Sequence, residues 1–320
     1  MSQRYSVNRE TREGVEVFAL RGADGAVAEV APSLGNNCFA FSAGGAPVLE
    51  EVSFADFRAR PTSYGIPVLF PFPNRVRDGR FTFGGERYEV DPPRHGFVRD
   101  KPWRVEEAGA TEEAGAWLTS SFDAADYPEL TPARFPSSFR LEVTYRLEGG
   151  RLSMETEARN TGARAMPLGF GIHPYFRLPA RGEVSVPARR RWELAESLPT
   201  GRLLGVEGAY DLRGGRSLEG LSLDDIYTGV EPDGDGRARC AVSDLERGTR
   251  TVVEFDASEF PHVVVYTPPA PRRAVCVEPN TCPTDAFNLH ARGVESNVIT
   301  LGAGESATFT ISLYVESLRP

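Results

Sequence analysis

Lysine is almost missing from this chain: Lys101 is the only one, so nearly all of the 36 basic residues are arginine. Acidic residues number 45 and set the net charge at −9. An acidic chain without a basic run lacks the electrostatic footprint of a nucleic-acid binder. Cysteine is just as sparse. Cys38, Cys240, Cys276 and Cys282 form no C-x-x-C pair and no zinc-like spacing. Four cysteines in 320 residues are too few for a disulfide framework. No apolar stretch approaches the roughly 20 residues that span a bilayer. The amino terminus, Met1-Ser2-Gln3-Arg4-Tyr5-Ser6, leads into polar sequence with no apolar leader segment. A cytoplasmic protein without membrane contact is expected, as a monomer or homodimer. No G-x-S-x-G elbow, P-loop or dinucleotide fingerprint occurs. Asp233-Gly234-Asp235-Gly236 begins like a calcium loop, but Arg237 takes the next ligand position and no glutamate follows at the right distance. It reads as a hairpin turn.

Long helical periodicity is also missing; Glu50–Arg58 is the best short helix. What dominates is alternation. Phe139, Leu141, Val143, Tyr145 and Leu147 interleave with Arg140, Glu142, Thr144, Arg146 and Glu148, the period of a half-buried strand. Gly149-Gly150 turns the chain, and Leu152, Met154, Thr156 and Ala158 continue the pattern. Similar runs occur over residues 14–21, 26–31, 80–90, 116–122, 237–242, 250–255, 263–267, 274–278 and 306–315. Glycine (32) and proline (25) punctuate them freely, and 40% apolar residues make a large core attainable. The expected fold is all-β: a large sandwich of antiparallel sheets with few short helices, forming a single domain over 1–320.

Polar residues that could carry chemistry stand out against this background. Asn74-Arg75 follows the apolar, proline-rich run Gly65–Pro73, and His95-Gly96 follows Asp91-Pro92-Pro93-Arg94; such constrained loops hold polar side chains rigidly. Only four histidines exist. His173 lies in Gly169-Phe170-Gly171-Ile172-His173-Pro174-Tyr175-Phe176, an aromatic run suited to the apolar face of a pyranose. From its local sequence it reads first as a core histidine satisfied by a backbone carbonyl, and His95 reads also as a turn residue. His262 looks like a strand-entry residue and His290 like a surface loop. Glu278 ends Ala274-Val275-Cys276-Val277, apolar at both parities and hence covered on both faces. A carboxylate there is desolvated, which raises its pKa toward the range of a base; a buried ion pair with an arginine is the bland alternative. Asp224-Asp225 alone reads as a turn.

In order along the chain come Asn74-Arg75, His95-Gly96, His173-Pro174-Tyr175-Phe176, Asp224 and Glu278-Pro279. This series resembles the aldose 1-epimerase (galactose mutarotase) superfamily, and the likeness spans residues 15–315. The resemblance implies a galactose-mutarotase-like β-supersandwich, no metal or organic cofactor, and interconversion of sugar anomers. It implies Glu278 as the base on the anomeric hydroxyl and His173 as the acid on the ring oxygen, across a sugar-sized gap too wide for a direct hydrogen bond. It implies His95 as an assisting group, and Arg75, Asn74, Asp224 and Tyr175 as sugar-binding or supporting residues. His95-Gly96-Phe97-Val98-Arg99 resembles instead the hexose-6-phosphate branch, with Arg99, Arg77 or Arg94 as a cationic lobe. The Asn-Arg and His-Pro-Tyr-Phe segments resemble the free-sugar branch. A small-molecule sugar is the expected partner, with a non-catalytic carbohydrate-binding protein of the same fold as the alternative.

Overall fold

Alternation decides the largest sheet. Phe139, Leu141, Val143, Tyr145 and Leu147 are fully buried, whereas the residues between them are partly exposed. After the turn at Gly149-Gly150 the strand Arg151–Asn160 returns with Leu152 opposite Leu147 and Asn160 opposite Phe139. This hairpin lies in a nine-stranded antiparallel sheet. Its order is Arg216–Ser217, Gly182–Ser185, Arg237–Asp244, Thr249–Asp256, Ser306–Ser317, Arg151–Asn160, Phe139–Glu148, Gly115–Asp123 and Arg104–Thr111. Asp233–Gly236 forms the predicted hairpin turn, closed by the Asp233 N–H on the Arg237 carbonyl at 2.8 Å.

An eight-stranded sheet positions the site. Its order is Leu198–Gly205, Ala188–Ala195, Asp224–Val230, His262–Tyr266, Ala274–Asn280, Gly171–Ile172 and Val68–Leu69, with Tyr175–Arg177 also paired to Ala274–Asn280. A five-stranded sheet runs in chain order from Ser6–Arg12 to Ala46–Pro47. One apolar cluster joins the sheets: Phe18, Val30 and Phe41 from the third, Leu141 and Val143 from the first, Val263, Val265, Val275 and Val277 from the second.

The computed structural model describes residues 4–130, 134–217, 219–220 and 222–318; Met1-Ser2-Gln3 of the amino terminus and the ends of the 1–320 reading lie outside them. Two short α-helices occur among the described residues, Phe54–Ala59 and Ala286–Ala291. The first is the helix expected near Glu50–Arg58, its start capped by the Ser53 hydroxyl, which accepts from the Asp56 N–H at 3.1 Å. The second corrects the surface-loop reading of His290, which is exposed but helical. No described helix is long and apolar enough to cross a membrane. Asp224-Asp225 opens the strand Asp224–Val230 and is not a turn.

Candidate functional site

Strand parity sorts the residues of the eight-stranded sheet. Asp224 pairs with Tyr266 and Tyr266 with Cys276; one step along, Ile226 pairs with Val264 and Val264 with Glu278. These six share a face, while Val263, Val265, Val275 and Val277 point to the main core on the other. Asp225 also points away, into an ion pair with Arg191 at 3.4 Å. Asp224 is therefore the member of the pair on the site face.

Above that face lies a cavity of about 320 Å³, lined by Thr62, Ser63, Asn74, Arg75, Arg94, His95, Arg99, His173, Tyr175, Asp224, Val264, Tyr266 and Glu278. All eight residues singled out in the sequence (Asn74, Arg75, His95, Arg99, His173, Tyr175, Asp224, Glu278) meet there. Arg77 does not; it turns away to Asp285 at 3.5 Å. Sequence reasoning missed Tyr266, Val264, Thr62 and Ser63. Tyr266 had a weak signal, as the aromatic end of the run Val263-Val264-Val265.

At the floor, His173 Nε2 lies 3.2 Å from Glu278 Oε1, which corrects the expected sugar-sized gap. The segment Gly171–Arg177 pairs with the Glu278 strand on both sides of His173-Pro174, so the loop bulges directly over the carboxyl. Burial holds the Glu278 carboxyl well above its usual range, with Asp224 acting in the same direction and Arg75 opposing. Burial likewise pushes His173 down to about 3. Both partners thus favour their neutral forms, and the pair holds one proton between them. The His173 ring stacks on Tyr175 at 4.6 Å, and the Arg272 guanidinium lies over the Tyr175 ring at 4.6 Å. Cys276 lies beneath, a buried thiol as expected. His173, Cys276 and Glu278 bring their donor atoms within 4.8 Å of one another. Burial keeps the thiol protonated, which works against metal ligation.

The second wall is a pair of tight loops. The Asn74 N–H donates to His95 Nδ1 at 3.2 Å, and the His95 N–H donates to the Asn74 carbonyl at 2.6 Å. A peptide N–H can only donate, so Nδ1 accepts and the neutral ring carries its proton on Nε2. Burial, then His173 and the nearby arginines, hold His95 well below its ordinary pKa. Gly96 is obligatory: at φ 70° its missing Cβ would lie 1.9 Å from the Phe70 carbonyl oxygen. Arg75 bonds Asn74 Oδ1 at 3.0 Å and approaches Asp224 at 3.9 Å. A further residue, Asp285, fastens this loop from below. Its carboxylate accepts from the Arg77 N–H at 2.9 Å, and its own N–H donates to the Arg75 carbonyl at 2.8 Å.

The chain belongs to the aldose 1-epimerase family, whose profile matches residues 41–314. A galactose mutarotase-like protein from Clostridium acetobutylicum superposes with a TM-score of 0.87 at 26% identity, covering 97% of this chain and 98% of that one. Galactose 1-epimerase from Lactobacillus acidophilus shares the fold, with a TM-score of 0.77 at 16% identity over 99% of both chains. In sequence, the uncharacterized Escherichia coli protein YphB is 24% identical over 78% of this chain and 83% of its own. Mouse galactose mutarotase is 28% identical over 44% of this chain and 42% of its own length. The uncharacterized Escherichia coli protein YihR is 30% identical over 34% of each chain. The chain therefore spans well under half of two of these curated relatives.

Proposed function

We propose that the protein is an aldose 1-epimerase that interconverts the α and β anomers of a hexose by acid–base ring opening and closure. The observation that carries this reading is the buried His173–Glu278 pair, 3.2 Å apart at the floor of a sugar-sized cavity. Anomerisation removes a proton at O1 while delivering one at O5, then reverses both steps after the aldehyde rotates. A pair sharing one proton has the right stoichiometry for this. As the sugar enters, the shared proton passes from the Glu278 carboxyl to His173; Glu278 as carboxylate then takes the O1 proton, and His173 as imidazolium gives its own to O5. Reclosure from the other face resets both groups, so no cofactor is consumed. The direct contact is then the resting arrangement, which an entering sugar parts so that each group meets one reacting oxygen.

The remaining roles follow from donor chemistry. His95 presents Nε2–H, a donor suited to the oxygens at the reacting end. Arg75, Asn74 and Asp224 supply donors and acceptors for ring hydroxyls, and Tyr175 holds the His173 ring by stacking. A purely sugar-binding protein would need no buried proton-sharing couple, which favours the enzyme. The test is anomer exchange, followed by polarimetry or NMR on freshly dissolved glucose, galactose and glucose 6-phosphate. Exchange well above the buffer rate on at least one sugar is expected; rates equal to buffer on all three would leave only the binding protein.

A further inference from the structure

We propose that Arg272, gripped by Glu50, is a positioning residue for His173: it holds the Tyr175 ring on which the imidazole stacks, and its charge opposes the imidazolium. The inference rests on the epimerase reading above. Arg272 does not line the cavity, so it acts through Tyr175 and not on the sugar. His173 has few restraints of its own. Its Nδ1, the nitrogen whose hydrogen bond often fixes such a ring, makes no well-formed hydrogen bond among the described residues. Its Nε2 meets Glu278 at 3.2 Å, and an entering sugar parts that contact. The close contact that remains is the stack on Tyr175, with ring centroids 4.6 Å apart and planes 17° from parallel.

Tyr175 is anchored in turn from outside the cavity. The Arg272 guanidinium lies over its ring at 4.6 Å and over the Tyr64 ring at 4.7 Å. Glu50 takes the same guanidinium through both carboxylate oxygens, each 3.1 Å from Nε, with Nη2 bonded as well. Glu50 also clasps the backbone: its N–H donates to the Tyr175 carbonyl at 2.8 Å, beside the bridge between Leu49 and Phe176. One residue thus holds both the main chain of Tyr175 and the cation over its ring. Tyr64 is tied by Arg60, whose Nη2 donates to the hydroxyl at 2.8 Å. A planar fork that binds a carboxylate and stacks on rings is a task for arginine and not for lysine. The electrostatics point the same way. Burial is the main force holding His173 down to about 3, and Arg99 and Arg272 add to it. Besides Arg272, the titratable and charged groups facing the ring are Glu278 and Cys276, His95 and Arg99, Tyr266, and Tyr175 itself. Of the two cations, Arg99 lines the cavity and Arg272 does not. Arg272 can therefore be altered without changing what the sugar meets.

The experiment measures kcat, KM and the pH dependence of kcat/KM for anomer exchange in wild type, Arg272→Ala, Arg272→Lys and Glu50→Gln, on whichever of the three sugars exchanges fastest. In Arg272→Ala kcat should fall about tenfold with KM within about twofold of wild type. Its acid limb, where the pair takes a second proton, should move up by about half a pH unit or more, because a cation opposing the imidazolium is gone. Arg272→Lys keeps the charge but not the fork, so its limb should stay while kcat recovers only in part. Glu50→Gln still accepts from the guanidinium but leaves it uncompensated, so its limb should move down. A merely structural role would lower the folded fraction and move no limb. An unmoved limb in Arg272→Ala or in Glu50→Gln, or a lysine variant that shifts like the alanine one, overturns the proposal. If wild type exchanges none of the sugars, the epimerase reading fails by itself, and the NMR positions of the His173 ring protons decide this one. They should move downfield in Arg272→Ala as the ring leaves the Tyr175 ring current; identical positions in the two proteins would sink the positioning role as well.

Discussion

The strand Ala274–Asn280 carries two faces that live under opposite terms. Val275 and Val277 pack into the main core beside Val263 and Val265, with no polar atom to satisfy. Burying each such valine stabilises the fold by about 1.5–3 kcal/mol. One residue out of phase, Glu278 is only 2% exposed, yet it offers a carboxyl to a histidine whose Nδ1 makes no well-formed hydrogen bond among the described residues. An orphaned buried polar atom costs about 1–3 kcal/mol. The core face holds in place what the site face would expel. Within this strand the polar burden falls on one parity, and the neighbouring parity offsets it.

Glu278→Gln and Val277→Ala should break this comparison in opposite directions. The glutamine keeps the shape but cannot take a proton, so anomer exchange should drop by about a hundredfold or more. Its stability should not fall with it. A carboxyl held above its ordinary pKa contributes stability below the unfolded value, about 4.3, and loses it as pH rises through the folded value. Glutamine has no such loss, so at neutral pH and above the variant should unfold at equal or higher denaturant. Polarimetry and urea titration check the two halves. Val277→Ala should instead lose about 2 kcal/mol of stability to its cavity while the folded fraction keeps its rate.

The adjacent carboxylates offer a finer contrast. On the reading above, Asp224→Ala should raise KM by about tenfold through lost hydroxyl contacts, whereas Asp225→Ala should leave KM unchanged. Equal effects on KM would erase the distinction between the two faces. The smallest effect concerns acid stability. Burial pushes His262 down to about 4, so the folded protein keeps it neutral while the unfolded chain binds a proton below about 6.5. Its stabilising contribution is complete above that value and fades as pH falls toward the folded one. His262→Gln should flatten the slope of unfolding free energy in that window by about 1 kcal/mol per pH unit.

Much of this was legible in the chain because alternation and punctuation are local signals. The hairpin at Gly149-Gly150, the doubly covered strand at Glu278 and the buried Cys276 follow from neighbours a few residues away. Strands without clean alternation stayed hidden: Asn37–Ala43, Arg104–Thr111, and the arginine-rich Ala188–Ala195 with its partner Leu198–Gly205. Asp224-Asp225 misled for the same reason, since two acids at a strand entrance look like a turn until one finds Arg191 and the other the cavity. The convergence of His95, His173, Asp224 and Glu278 was suggested by their order, but the 3.2 Å contact was not. It depends on Gly171–Arg177 pairing on both sides of a bulge, a long-range register that no local pattern encodes. Asp285 had no signal, because its task is to bond backbone atoms of a loop some 200 residues earlier.

The group that fixes the tautomer of His95 is the peptide N–H of residue 74, not the asparagine side chain. Genetic change at position 74 can therefore alter what the residue offers a ligand without rewriting the proton pattern of the neighbouring imidazole. The left-handed backbone there, φ 54°, welcomes glycine or aspartate nearly as well as asparagine. Only proline, which has no N–H to give, would remove the instruction outright. The histidine's protonation is inherited through the path of the chain, which leaves the side chain beside it free to drift toward a new substrate.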